Sequence, residues 1–370
     1  MGSKSKRLNA RSLKFLSGGL ALLLLVMGAL GQTPSGVQDL PPPPPMPTPK
    51  PKPTPTPAEP PDSDYDVVRV SSNLVVVPVS VTDGLGQPVM GLAATDFRLE
   101  EDGRAQEIAQ IGDPEQVPLD IAILLDVSGS INARFAFEKE AASRFIKQVL
   151  KPTDRATVFA IDQQPRLELA RDTAERASAR LMAIDPSRGP TAFYDTVIEA
   201  AHYLAQSSPP QHRRVVVVIS DGEDNFSERV KRAIGATRQE QDAVSVQDKG
   251  AVYNKVLLEV QREIQKAEIT FYSINPSGVA LRLNVISKRA QDGMEQLANA
   301  TGGNSFVPEK LENLEAVFKQ IAAELRSQYL LQYYSKDESP SGKFLRIRVA
   351  IPARPQLRIR ARQGYYSKRK

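Results

Sequence analysis

Five apolar residues, Ile121-Ala122-Ile123-Leu124-Leu125, run uninterrupted into Asp126-Val127-Ser128-Gly129-Ser130. This junction constrains the fold more than any other stretch. A short continuous apolar run reads as a strand buried on both faces, and such strands belong to parallel sheets covered by helices on both sides. The junction recurs where Val215-Val216-Val217-Val218-Ile219 runs into Ser220-Asp221-Gly222. In open α/β sheets, ligands bind at the carboxyl ends of the strands. The first loop alternates one carboxylate with two hydroxyls, and Gly129 keeps its turn open. Hard oxygen donors carrying little charge suit a divalent cation.

Strand-like runs near 119–126, 156–161, 214–221, 269–274 and 304–307 alternate with helical periodicities. The helical stretches lie near 134–150, 172–183, 192–206, 248–267, 290–300 and 311–327. The alternation predicts a doubly wound, mostly parallel α/β sheet over 117–327. Within it, Gly189-Pro190-Thr191 puts a hydroxyl at the start of a helical pattern. Residues 223–250 are polar and aperiodic, and read as a loop or short helix beside the strand ends, placed to shape the choice of partner. Asp195 and Asp224 are near in sequence but are not counted in the site. Asp195 fits the first turn of its own helix, where a carboxylate favours the dipole. Gly302-Gly303 reads as a turn before a strand, since no helix start or Lys-Ser/Thr follows.

Both flanks are β-patterned. Val75, Val77, Val79 and Val81 alternate with Val76, Pro78, Ser80 and Thr82, and Asp83-Gly84 marks a turn. Asp96 to Gly103 suggests another strand and turn. Leu345, Ile347, Val349 and Ile351, then Leu357, Ile359 and Ala361, alternate with arginines and alanine. Residues 65–112 are few for an independent core. The expectation is one β-sandwich made from 65–112 and 329–366, with the α/β domain inserted between them. About four strands would come from the first part and about three from the second. Arg346, Arg348, Arg358, Arg360 and Arg362 read as a solvated sheet face, with an anion-binding patch as the alternative.

Residues 1–31 read as an export signal. Lys4, Lys6, Arg7, Arg11 and Lys14 precede or open a Leu/Ala-rich run that ends at the small-x-small site Ala29-Leu30-Gly31. The competing reading is an uncleaved membrane anchor, although the run falls short of the ~20 residues of a spanning helix. Residues 32–64 are a Pro-rich linker, with Pro41 to Pro45 consecutive. Such a chain is a stiff polyproline II spacer, or a ligand for a proline-binding domain. Export would place the protein in the periplasm, at the cell surface or outside the cell, or hold it on the membrane through the uncleaved segment alone.

The net charge of +5 comes from that leader. Without its five basic residues the chain carries 43 basic and 43 acidic residues, which gives no general reason to expect nucleic acid. Cysteine is absent, excluding thiol chemistry, disulfides and Cys-ligated metals. The two histidines, His202 and His212, lie outside the motifs, which excludes a His-rich zinc site and argues against a catalytic His.

The three polar pieces resemble the metal-ion-dependent adhesion site of von Willebrand factor A-type (VWA) domains. That family's pattern is Asp-x-Ser-x-Ser, then a distant Thr, then an Asp closing a later strand. The resemblance assigns Asp126, Ser128, Ser130, Thr191 and Asp221 to a metal site, with Gly189 two residues before the Thr. The wider layout resembles VWA-related proteins abundant in Acidobacteria. It matches them in Asp96-Phe97, Glu101-Asp102-Gly103, Tyr329 to Tyr334 and Gly364-Tyr365, across about 65–366. The resemblance implies an exported, non-enzymatic, adhesion-type module. It would use Mg²⁺ (or Mn²⁺/Ca²⁺) to capture an Asp or Glu from an unidentified protein. A structural scaffold of an envelope complex is the alternative. A metal-assisted hydrolase is disfavoured, because Asp126-x-Ser128 lacks the second Asp of a phosphohydrolase Asp-x-Asp.

Overall fold

The computed structural model describes residues 73–128, 133–187, 189–235, 245–278 and 284–368, all within the unit Val68–Lys370. The export segment, the linker, Gly129, Ser130 and the middle of the 223–250 insert lie outside the described residues.

The first flank supplies β1 (Leu74–Thr82), β2 (Arg98–Glu101), β3 (Arg104–Gln106) and β4 (Gln110–Gly112). Alternation drives β1: Val75, Val77, Val79 and Val81 all point into a core. β2 and β3 form a hairpin over Asp102-Gly103. Both turn residues have positive φ, 45° and 78°, the backbone that a two-residue hairpin turn demands and that Asp-Gly supplies.

The chain then builds the central sheet from β5 (Leu119–Asp126), β6 (Arg155–Ile161), β7 (Pro165–Asp172), β8 (Arg213–Ile219), β9 (Ile269–Ile274) and β10 (Ser305–Phe306). Its order is β10-β9-β8-β5-β6-β7. All pairs are parallel except β6–β7. Helices Ala133–Val149, Ala174–Met182 and Leu314–Ser327 pack on one face, over Ile121, Ile123 and Leu125. Helices Phe193–Ser207, Val246–Lys266 and Val285–Thr301 pack on the other, over Ala122 and Leu124. Both faces of β5 are therefore buried, which is why its sequence is apolar without alternation. β7 escapes sequence reading because it is a half-exposed edge strand opened by Pro165. A short helix, Glu228–Ile234, occupies part of the polar insert.

The last flank supplies β11 (Tyr329–Tyr334), β12 (Phe344–Ala350), β13 (Arg358–Ala361) and β14 (Gly364–Tyr366). Two four-stranded sheets result, β13-β1-β11-β4 and β14-β12-β2-β3. Each mixes strands from both ends of the chain around one core that includes Val77, Val79, Leu99, Leu331, Tyr333 and Leu345. The second flank gives four strands where about three were expected; the addition is explained by β14, only three residues long. The arginine face divides. Arg346, Arg348 and Arg358 are exposed, whereas Arg360 pairs with Glu324 at 2.7 Å and Arg362 with Glu268 at 3.7 Å.

Candidate metal centre

The chain runs outward from β5 through β6 to β7, then returns to β8 on the other side of β5. Strand order reverses between β5 and β8, and at such a switch point the carboxyl ends leave a crevice. β5 and β8 pair in register up to Leu125↔Ile219. The next step along both strands sets Asp126 beside Ser220. The Ser220 hydroxyl donates to Asp126 Oδ2 at 2.6 Å, and the backbone N–H of Gly222 donates to Ser220 Oγ at 2.9 Å. Ser128 donates to Asp126 Oδ1 through both its hydroxyl, at 2.5 Å, and its backbone N–H, at 3.0 Å. Asp126 is thus held from both sides before the chain leaves the strand.

Asp221 follows at the end of β8 and accepts the Glu223 N–H at 3.0 Å. The same loop fixes Thr191. The backbone N–H of Thr191 donates to Asn225 Oδ1 at 2.7 Å, while its carbonyl accepts from the N–H groups of Asn225 and Phe226 at 3.1 and 3.0 Å. Thr191 is buried. Its hydroxyl makes no hydrogen bond to a described residue. The loop before Thr191 is tied to the Asp126 loop, where Ser187 N–H donates to the Val127 carbonyl at 2.7 Å. Asp126, Ser128, Thr191 and Asp221 therefore share one edge of the sheet, while Ser130 lies outside the described residues.

Asp195 and Asp224 serve the framework. Asp224 accepts the Tyr194 N–H at 2.9 Å and the Ser227 hydroxyl. Asp195 sits in its helix's first turn, and its carboxylate also accepts the Glu228 N–H of the next helix at 2.7 Å.

The electrostatics have one sign. Burial pushes the Asp126 carboxyl above its ordinary range against the hydrogen bonds from Ser128 and Ser220, and the charge of Asp162 adds to the rise. Burial also raises Asp221. The Glu223 N–H opposes that rise, while Asp126 adds to it. A third carboxylate, Glu138 on the helix Ala133–Val149, is pushed up to about 7 by burial, against Arg134 and helped by Asp126 and Asp221. The residues present fit a divalent cation: hydroxyls supply neutral oxygens, and the half-buried carboxylates of Asp126 and Asp221 supply negative charge. Motif spacing did not point to Ser220 or Glu138. The strand register would have found Ser220, and the inward phase of the helix would have found Glu138.

Residues 121–223 match the family model of the von Willebrand factor type A domain. No curated protein matches the chain. Several solved structures are similar. A von Willebrand factor type A protein from Catenulispora acidiphila aligns at 14% identity and TM-score 0.42, over 70% of this chain and 51% of that one. The PilB minor pilin from Streptococcus sanguinis aligns at 12% identity and TM-score 0.43, over 57% and 62%. Proximal thread matrix protein 1 from the mussel byssus, with a zinc-occupied MIDAS motif, aligns at 15% identity and TM-score 0.41, over 61% and 49%. The chain spans about half the length of the mussel and Catenulispora proteins, 49% and 51%.

Proposed function

Starting from a von Willebrand factor type A domain at the centre of the chain, we propose an exported, metal-dependent protein-binding module. The carrying observation is the arrangement at the switch point. There Asp126 is fixed by two serine hydroxyls, Asp221 lies alongside, and the Thr191 backbone is locked while its hydroxyl makes no hydrogen bond to a described residue. A bound Mg²⁺, Mn²⁺ or Ca²⁺ supplies an electrophilic point that attracts an oxygen anion. Ser128, Ser130 and Thr191 would give it neutral hydroxyl oxygens, and Asp126 and Asp221 would act largely through water. The anion would be an Asp or Glu side chain of another protein, captured with no bond broken. The basic, Leu-rich leader and the Pro-rich spacer support a place outside the cytoplasmic membrane.

Two measurements test this. Calorimetry with Mg²⁺ or Mn²⁺ should show binding that Asp126→Ala abolishes. Capture of a partner from envelope extract should then need the ion, failing with EDTA and with Thr191→Ala. Equal metal binding by Asp126→Ala would refute the site. Capture indifferent to both EDTA and Thr191→Ala would leave the scaffold reading in place of adhesion.

A further inference from the structure

The helix that follows the Asp126 loop carries a carboxylate that the reading above does not use. Glu138 is only 5% exposed. It lies on the inward stripe of the helix, three residues after Phe135 and three and four before Ala141 and Ala142, all buried in the core. Apolar side chains are the usual occupants of such a stripe, and a glutamate is almost never so deeply buried unless it is paired. Glu138 makes no hydrogen bond and no ion pair with a described residue. The helix dipole does not account for it, because that effect is confined to the first turn and Glu138 is the sixth residue of Ala133–Val149.

The charges that act on it belong to the strand ends and to its own helix. The anionic groups acting on it are Asp126 and Asp221, and the cation acting on it is Arg134, one turn earlier and exposed. Carboxylates from three separate elements therefore act on one another electrostatically near the strand ends. Yet among the described residues no three Asp, Glu or His side chains come close enough to ligate a single ion. Glu138 thus acts on Asp126 and Asp221 without joining them as a third ligand.

We propose that Glu138 is an outer carboxylate of the metal centre, accepting hydrogen bonds from the cation's water molecules and adding negative charge that strengthens the binding of a divalent ion. The proposal rests on the metal-site reading above. Small divalent cations keep several waters when bound by few protein groups. Those waters are strong donors, and an outer acceptor that orients them contributes to affinity. The same carboxylate is a liability without the ion, since it is then a buried charge repelled by two of like sign.

This double role gives opposite signs in one variant. Glu138→Gln keeps the size and removes the charge. At about pH 8, well above the ordinary glutamate range, the metal-free variant should melt higher than wild type, by about 2–4 °C. Its affinity for Mg²⁺ or Mn²⁺ should fall about 10- to 100-fold, and the gain in Tm on adding metal should shrink. Wild type is titrated first. No metal binding by wild type would overturn the metal centre and this role with it. Binding by wild type that is unchanged in Glu138→Gln would overturn only the role of Glu138. A metal-free variant that melts lower, or fails to fold, would mean that Glu138 is a structural residue and would equally overturn the proposal.

Discussion

Ser220 adjoins Asp221 in the chain but serves Asp126 across the sheet. Its hydroxyl donates to one residue and accepts from the backbone of Gly222, and it is 1% exposed. Ser220→Ala would leave the buried Gly222 N–H and one oxygen of the half-buried Asp126 short of a partner, at about 1–3 kcal/mol. It would also free the Asp126 carboxylate to rotate. Metal affinity should fall about tenfold or more, as for other groups that orient a metal site from outside. Calorimetry reads the affinity and urea unfolding the stability; a stability loss with unchanged affinity would assign Ser220 to the loop alone. At this scale the sequence carried the local part of the candidate site. Asp126, Ser128, Thr191 and Asp221 stand in short motifs next to legible strand and helix starts. The role of Ser220 depends on which strand lies beside β5, and that of Glu138 on the phase of a helix whose neighbours Lys139 and Glu140 read as ordinary surface charge. Neither dependence is local.

The β flanks follow the same logic one level up. The alternation in β2 that buries Leu99 also turns Glu101 inward. A buried carboxylate needs donors, and three reach it. Tyr333 donates at 2.5 Å and Tyr365 at 2.9 Å to Oε2, and Ser335 donates at 2.7 Å to Oε1. Burial, with Glu101 adding to it, pushes the Tyr365 phenol up to about 12, and Tyr333 is raised by the same two causes. Both phenols stay neutral and keep donating at any ordinary pH. The Glu-Asp-Gly turn and the two tyrosine segments are distant in the chain but form one contact. It ties β2 of the first flank to β11 and β14 of the second. Tyr365→Phe should destabilise the protein by about 1.5–3 kcal/mol, the usual cost of losing a hydrogen bond to a charged group. A shift in the urea midpoint measures this, and an unchanged midpoint would mean that the other two donors suffice. Strands with clean alternation were legible. β7 and β14 were not, because an edge strand under weak burial and a three-residue strand carry too few alternations to register.

At the scale of the molecule, the sandwich is fastened to the domain inserted in it, and much of the fastening is carried by β13, β14 and the residues around them. Gly302 caps the helix Val285–Thr301 with a left-handed φ of 80°. A Cβ there would meet the backbone of Ala361 and Arg362 at 2.7 Å, and Gln363 N–H donates to the Ala300 carbonyl at 3.1 Å. Beside this close approach, Glu268 gathers charges from both parts. Lys368 lies 2.9 Å from its carboxylate, Arg362 3.7 Å and Arg214 3.9 Å. Glu268 holds a left-handed φ of 56°, a conformation costing an ordinary residue about 1–2 kcal/mol, so the fold keeps a strained turn where its carboxylate meets three cations. Burial alone would raise that carboxyl, but Arg362, Lys368 and Arg214 together outweigh it and hold the group below its ordinary range. The sign of the pH effect follows. A group whose folded value is depressed contributes stability above its unfolded value, near 4.5 for Glu268, and loses that contribution as pH falls through the folded value. The raised carboxyls of the candidate metal centre shift stability in the opposite direction, so the difference between wild type and Glu268→Gln is the useful quantity: Gln keeps the backbone conformation and removes only the charge, and the other groups cancel. Wild type should melt above the variant at neutral pH, and the gap should close as pH falls below about 4.5, the ordinary glutamate value. Added salt should narrow the neutral gap, since the carboxylate is 29% exposed and such pairs are partly screened. A gap that stays constant with pH would show that Glu268 acts through its shape, and the ionic fastening of the sandwich to the α/β layer would then rest on Arg360 and the buried Glu324.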